Sequence, residues 1–132
     1  MPGLLLITHG NLGDDMLHAA REILSGCPLS AAAIAVDADS NPDQLFADAG
    51  KLCDTLDDGS GVLVLTDLYG STPSNIANRL IETCNARVIS GANLPMLLRI
   101  LNYPDMSLEA LCEKAANGAR DGIVVTTRKQ AS

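Results

Sequence analysis

The stretch that decides the fold is Leu4-Leu5-Leu6-Ile7-Thr8, followed directly by His9-Gly10-Asn11. Its first four residues are large and apolar, so the segment has no polar face to turn towards water. This pattern predicts a strand that is buried on both faces, as in a parallel sheet covered by helices. In open α/β sheets, ligands bind at the carboxyl ends of the strands. His9 therefore stands where a functional side chain is expected.

Further segments along the chain have strand or helix character. Strands are predicted over Ala31–Val36, Val62–Thr66, Ala86–Ser90 and, more briefly, 123–126. Helical apolar spacing separates them, with two helices between the fourth and fifth strands, the second of which is predicted to end at Gly118. The order β-α-β-α-β-α-β-α-α-β indicates one α/β domain spanning residues 1–132, with a doubly wound open sheet. We expect the flavodoxin-like parallel order 2-1-3-4, plus a short C-terminal edge strand.

Composition and charge exclude several classes of protein. The chain is 47% hydrophobic but only 2% aromatic, so aliphatic side chains must fill the core. A net charge of −7 argues against nucleic acid as a partner, because Lys and Arg contacts to phosphate dominate such binding. We expect no signal peptide and no membrane insertion, and therefore a cytoplasmic protein. Four cysteines without a C-x-x-C pair are interpreted as small buried hydrophobes: Cys27, Cys53, Cys84 and Cys112.

A second polar cluster follows the third predicted strand, beginning at Asp67. In the order 2-1-3-4 the first and third strands are neighbours, so His9 and Asp67 should lie side by side. The loop Gly70-Ser71-Thr72 opens onto a helix, with Thr72 as the expected N-cap and Pro73 as the first helical residue. Backbone N–H groups, hydroxyls and a helix N-terminus suit a phosphoryl group. Neither loop contains Lys or Arg, so we expect a transiently carried phosphoryl group rather than a bound nucleotide triphosphate.

Motifs of other chemistries are absent from the sequence. There is no G-x-S-x-G nucleophile elbow, no G-x-x-x-x-G-K-[ST] and no G-x-G-x-x-G. A catalytic zinc would need three ligands, and the second histidine, His18, falls among charged residues on a helix face. The imidazole of His9, beside a carboxylate, remains as acceptor and donor of a group.

Three segments in order carry a resemblance to a known family: ITHG at 7–10, GVLVLTDLYGSTPSN at 61–75 and GANLPML at 91–97. The chain resembles the mannose-family IIA component of the bacterial phosphoenolpyruvate-dependent phosphotransferase system. Tyr69 and Ser71 stand where members of the family often have a tryptophan and a second glycine.

The resemblance implies a phosphohistidine relay. His9 would accept a phosphoryl group on Nε2 from the phosphocarrier HPr and pass it to a histidine of a IIB component on a separate chain. Asp67 would orient the ring through Nδ1–H, and Gly70, Ser71 and Thr72 would cradle the phosphate. No metal and no cofactor is implied, and the output could also be a regulatory phosphorylation state.

Two other functions remain open from the residues. A strand ending in His-Gly also resembles sirohydrochlorin-type metal chelatases, and the same fold could serve as a non-catalytic regulator that binds a small anion.

We also expect a homodimer. The apolar segment 123–126 follows a glycine-bracketed hinge and should not remain as a bare edge strand. The resemblance agrees, since mannose-type IIA domains are described as dimers with a C-terminal strand that reaches the partner's sheet.

Overall fold

The computed structural model describes residues 1–128. Its strands and helices follow the predicted order as far as the fifth helix. They are β1 (Gly3–His9), α1 (Leu12–Leu24), β2 (Ala31–Val36), α2 (Pro42–Leu56), β3 (Val62–Thr66), α3 (Thr72–Leu80), β4 (Ala86–Ser90), α4 (Leu94–Asn102) and α5 (Leu108–Asp121). Among these helices, none has the length and apolar character required to cross a membrane.

The four strands form one parallel sheet in the order β2-β1-β3-β4, which confirms the predicted topology. Ile7 lies opposite Thr66 on β3, and His9 lies opposite Val36 on β2. This register brings the carboxyl ends of β1, β2 and β3 to one edge of the sheet. Residues that directly follow these strands are therefore neighbours in space.

Helices cover both faces of the sheet, and the side chains of β1 and β3 alternate between two apolar clusters. Leu4 and Leu6 point into the cluster shared with α1, α4 and α5, whereas Leu5 and Ile7 point into the one shared with α2 and α3. All four side chains are fully buried. Each contributes about 1.5–3 kcal/mol of hydrophobic stabilisation by the usual measure. The continuous apolar run in the sequence thus reflects burial on both faces.

Side-chain caps fix the N-termini of α2 and α3, two of the helices that begin near His9. The Asn41 side chain accepts hydrogen bonds from the Asp43 and Gln44 amides, and Pro42 is the first residue of α2. On α3 the prediction was wrong by one position, because Ser71 rather than Thr72 is the N-cap. Proline is accommodated at the second helical position as well as the first, since neither amide has a partner within the helix.

The C-terminal part of the chain differs from the sequence prediction in two ways. α5 continues past Gly118 to Asp121, because Gly118 allows close packing: an added Cβ would lie 2.6 Å from Arg99 Cβ. The predicted strand over 123–126 is not formed within the chain, and Ile123, Val124 and Val125 are 72%, 75% and 72% exposed. A strand needs hydrogen bonds to a neighbouring strand, and none of the four strands pairs with this segment.

The cysteines behave as small hydrophobes, in agreement with the interpretation of the sequence. All four are free thiols; Cys53 is buried and the other three are half-buried. Burial, together with the neighbouring Cys84 thiol, raises the pKa of Cys53 to about 12. Cys53 is therefore a protonated and unreactive group at neutral pH.

Candidate functional site

His9 and Asp67 meet at the carboxyl edge of the sheet, as the strand order predicts. His9 is the last residue of β1, and Asp67 directly follows β3. The distance from His9 Nδ1 to Asp67 Oδ2 is 2.8 Å, and the His9 backbone N–H donates to the same oxygen at 3.2 Å. The imidazole is 51% exposed, whereas the carboxylate is only 12% exposed. Asp67 thus holds the imidazole ring at Nδ1, and about half of the ring remains open to solvent.

The contact fixes which ring nitrogen can react. An ionised carboxylate only accepts hydrogen bonds, so Nδ1 carries the proton, and Nε2 of the neutral ring keeps its lone pair. Burial alone would raise the pKa of Asp67, but hydrogen bonds from the side chain and backbone of His9 outweigh burial and lower that pKa. Asp67 is therefore ionised at neutral pH and can stabilise positive charge on the imidazole.

A cavity of about 340 Å³ opens beside His9. Its other walls include Asp37 and Ser40 from the segment after β2, Pro42 at the start of α2, and Thr72 at the start of α3. Sequence reasoning did not single out Asp37 or Ser40. The signal was available, since β2 lies next to β1 and its carboxyl end must reach the same edge of the sheet.

The three predicted phosphate-binding residues occupy different places. Thr72 lines the cavity of His9, whereas Gly70 and Ser71 belong to a hydrogen-bonded turn before α3. The Ser71 hydroxyl donates to the Leu68 carbonyl and accepts from the Ser74 amide at 3.5 Å. The Gly70 amide donates to Ser74 Oγ at 3.3 Å. The structure therefore brings Thr72 to His9 and uses Ser71 within the loop.

His18 takes no part in the site. It is exposed on α1 and lies beside Glu22, with 3.3 Å between His18 Nε2 and Glu22 Oε1. The sequence contains only two histidines, so His9 has no second imidazole beside it. Within residues 1–128, no group of three or more His, Cys, Asp or Glu side chains is arranged to hold a metal ion.

The chain is similar to known proteins over most of its length. Residues 3–116 match the family model EIIA-man, whose description is "PTS system fructose IIA component". The chain belongs to this family. The match extends from the first residue of β1 into α5, so it includes His9, Asp67 and the loop before α3.

Individual relatives agree with the family assignment. This IIA chain is 30% identical over 123 residues to the PTS system mannose-specific EIIAB component of Escherichia coli strain K12, covering 91% of the chain. It spans 38% of the length of that relative.

Solved structures have the same fold. The EIIA component from Streptococcus agalactiae superposes with a TM-score of 0.83 at 27% identity, with 95% of this chain and 97% of that chain covered. The mannose/sorbose specific IIA subunit from Enterococcus faecalis superposes with a TM-score of 0.85 at 24% identity, with 96% of this chain and 95% of that chain covered.

Proposed function

We propose that this IIA chain is a phosphohistidine relay protein. His9 accepts a phosphoryl group on Nε2 from HPr and passes it to a histidine of a IIB component on a separate chain, or its phosphorylation state serves as a regulatory signal. The observation that carries the proposal is the 2.8 Å contact between Nδ1 and Asp67, on a half-exposed ring beside an open cavity. The same proposal places the chain in the cytoplasm with its phosphocarrier.

The transfer step uses the nitrogen that Asp67 leaves free. The Nε2 lone pair of His9 forms a bond to phosphorus while the phosphorus–nitrogen bond to the donor histidine breaks, and that electron pair returns to the donor ring. The His9 ring keeps its proton on Nδ1 and becomes positively charged. Asp67 stabilises this charge through a short charge-assisted hydrogen bond in a site that needs no rearrangement. Transfer to the IIB histidine is the same step in reverse.

Thr72 is the residue of the predicted phosphate-binding segment that we propose contacts the phosphoryl oxygens. It is the first residue of α3, where amides without helical partners carry partial positive charge. Within residues 1–128, no protein group hydrogen-bonds to its amide or hydroxyl. Gly70 and Ser71 contribute to phosphate binding indirectly, because their hydrogen bonds shape the turn that precedes Thr72. Asp37, in the same cavity, repels a phosphoryl group, and the combination favours transient rather than tight retention.

The direct test is to mix the chain with phosphoenolpyruvate, enzyme I and HPr and to measure its intact mass. We expect the mass to rise by one phosphoryl group, which is lost again in acid. A metal chelatase would instead insert a divalent metal into a tetrapyrrole, and an anion-binding regulator would bind inorganic phosphate without a covalent adduct. Absence of the adduct with functional enzyme I and HPr would remove the relay proposal.

We further propose that the chain forms a homodimer through its C-terminal segment. Residues Ile123, Val124 and Val125 are apolar, about three-quarters exposed and without a strand partner in the single chain. β4 is an edge strand with hydrogen-bonding groups that a second copy could satisfy. Exchange of such a segment across a two-fold axis is a common route to dimers.

Truncation separates a dimer formed by this segment from one formed elsewhere. A chain ending at Gly122 keeps all of α5 and also keeps Gly122, the C-cap of α5, packed against Pro95. We expect light scattering at about 10 μM, a concentration at which a stable interface stays assembled, to show a dimer for the intact chain and a monomer for the truncated one. A monomeric intact chain, or a truncated chain that dimerises equally well, would contradict the proposal.

Association with HPr should depend on salt, because acidic side chains flank His9. Asp14 and Asp15 lie in the first turn of α1, and Asp37 and Asp39 follow β2. These carboxylates should steer a basic partner surface, so the association rate should fall as salt rises from about 20 mM to about 500 mM and the screening length shortens. Asp39→Asn should reduce this dependence more than Asp54→Asn, an equal charge change near the opposite end of α2. A rate that does not vary with salt would contradict steering.

A further inference from the structure

Completely buried polar side chains in the described part of the chain cluster around one place. They are Thr8, Thr66 and Ser74, each with 0% of its surface exposed. Thr8 precedes His9, Thr66 precedes Asp67, and Ser74 lies in the first turn of α3. A buried hydroxyl is costly unless it is hydrogen-bonded, so each must be matched to a partner. All three lie next to His9, next to Asp67 or at the start of α3, so their hydrogen bonds bear on the geometry of the candidate site.

Each buried hydroxyl forms a hydrogen bond to a neighbouring segment of the chain. Thr8 Oγ1 accepts from the Gly13 amide at 2.8 Å, at the start of α1. Thr66 Oγ1 donates to Ser90 Oγ at 3.1 Å, where β4 ends. Ser74 Oγ accepts from the Gly70 amide at 3.3 Å, inside the turn between Asp67 and α3.

The turn before α3 depends on these bonds more than other parts of the site. Its apolar side chains do not anchor it, since Leu68 is 60% exposed and Tyr69 is 79% exposed. Gly70 has a φ of +81°, in the left-handed region that side chains disfavour. The turn is closed by one backbone bond, from the Ser71 amide to the Leu68 carbonyl at 3.4 Å, and by the hydroxyl pair: the Ser71 hydroxyl bonds Leu68 and Ser74, and the Ser74 hydroxyl bonds Gly70.

We infer that Ser71 and Ser74 are positioning residues for phosphoryl transfer: their hydroxyls brace the turn so that Thr72 faces the cavity of His9. This inference rests on the proposed function and goes beyond it. A positioning role explains why the hydroxyls of Ser71 and Ser74, next to the proposed phosphate-binding residue, form hydrogen bonds within the loop. They act through Thr72, which lines the cavity, and do not touch the phosphoryl group.

Removal of either hydroxyl should slow transfer without weakening docking. In Ser74→Ala the Gly70 amide loses its acceptor, and in Ser71→Ala both the cap of α3 and the hydroxyl bond to the Leu68 carbonyl are lost, while the backbone bond from the Ser71 amide to that carbonyl remains. A small displacement of a positioning group reduces rates by about 10- to 100-fold. We therefore expect a maximal transfer rate from phospho-HPr lower by about tenfold, at an unchanged half-saturating concentration of phospho-HPr.

A second serine cap in the chain provides a matched control. Ser107 is the N-cap of α5, and its hydroxyl accepts from the Ala110 amide at 3.2 Å, away from His9. Ser107→Ala and Ser71→Ala each remove one helix cap and should lower the melting temperature by similar amounts. Only Ser71→Ala should slow transfer. Ser71→Thr keeps the hydroxyl and should restore most of the rate.

Amide hydrogen exchange tests whether the Ser74 hydroxyl protects the turn, and it requires no phosphoryl transfer. In Ser74→Ala the Gly70 amide should exchange faster than in the unmodified chain, while the Ala77 amide inside α3 should exchange as before. Unchanged Gly70 exchange, or transfer by Ser74→Ala and Ser71→Ala at the unmodified rate, would overturn the inference and leave the relay intact. If the unmodified chain accepts no phosphoryl group from phospho-HPr, the relay and the inference both fail.

Discussion

His9→Ala should accept no phosphoryl group from phospho-HPr, whereas His18→Ala should accept one as fully as the unmodified chain. His9 is the imidazole at the cavity, and its Nε2 is the nitrogen that the contact with Asp67 leaves unprotonated. His18 is exposed on α1 and lies beside Glu22. Intact-mass measurement after incubation with phosphoenolpyruvate, enzyme I and HPr checks both variants at once.

The folded state of His9→Ala needs its own control. The ring is half exposed and packs little, so we expect an unchanged far-ultraviolet circular dichroism spectrum and a melting temperature close to that of the unmodified chain. Retention of the phosphoryl group in a folded His9→Ala, or its loss in His18→Ala, would show that the reaction has been assigned to the wrong imidazole.

The second large effect is expected at Asp67. Asp67→Asn should reduce the transfer rate by about 10²-fold or more, with little change in melting temperature. The amide cannot supply the negative charge that stabilises the imidazolium formed during transfer. It also disturbs the hydrogen bonds, because Oδ2 accepts from both Nδ1 and the backbone of His9.

Either orientation of the amide introduced by Asp67→Asn places a donor where the carboxylate has an acceptor. If its NH₂ group faces Nδ1, the ring is driven to the wrong tautomer and the His9 backbone N–H meets a donor. If its oxygen takes that place, the NH₂ group occupies the position of Oδ1, which is buried and has no hydrogen-bond partner among residues 1–128. Single-turnover transfer at saturating phospho-HPr measures the loss, with Asp54→Asn as an exposed control of equal charge. Equal rates for Asp67→Asn and the unmodified chain would remove Asp67 from the mechanism.

The parallel sheet and its strand order were predictable from the sequence, because they follow from the burial of apolar side chains on both faces of the sheet. Strands β1 and β3 are apolar on both faces, and only a sheet covered by two helical layers buries both. Given that sheet, the rules on handedness and crossover connections leave few strand orders, and the neighbouring positions of His9 and Asp67 follow from the order.

Features that depend on local hydrogen bonds were less predictable. Ser71 and Thr72 are both good N-caps before Pro73, and composition cannot decide between them. The difference of one residue determines that the Ser71 hydroxyl bonds within the loop, whereas Thr72 lines the cavity of His9. The segment 123–126 has the composition of a strand, but strand formation requires an edge, and the single chain does not pair one with it.

Asp37 was missed for a related reason. The rule on carboxyl ends was applied to the first and third predicted strands, at His9 and Asp67, and not to the residues that follow β2. Their position beside His9 follows from the pairing of Val36 with His9. The cavity thus has a carboxylate, and no Lys or Arg is among the residues that line it, a composition that disfavours tight binding of phosphate.

We expect Asp67 to direct phosphorylation to one nitrogen of one histidine. Nuclear magnetic resonance of the chain with ¹⁵N-labelled histidine, after phosphorylation by phosphoenolpyruvate, enzyme I and HPr, tests it most directly. We predict phosphorus–nitrogen coupling at Nε2 of His9, together with a retained proton on Nδ1 hydrogen-bonded to Asp67. Phosphorus on Nδ1 of His9, phosphorus on His18, or no phosphohistidine signal would contradict it.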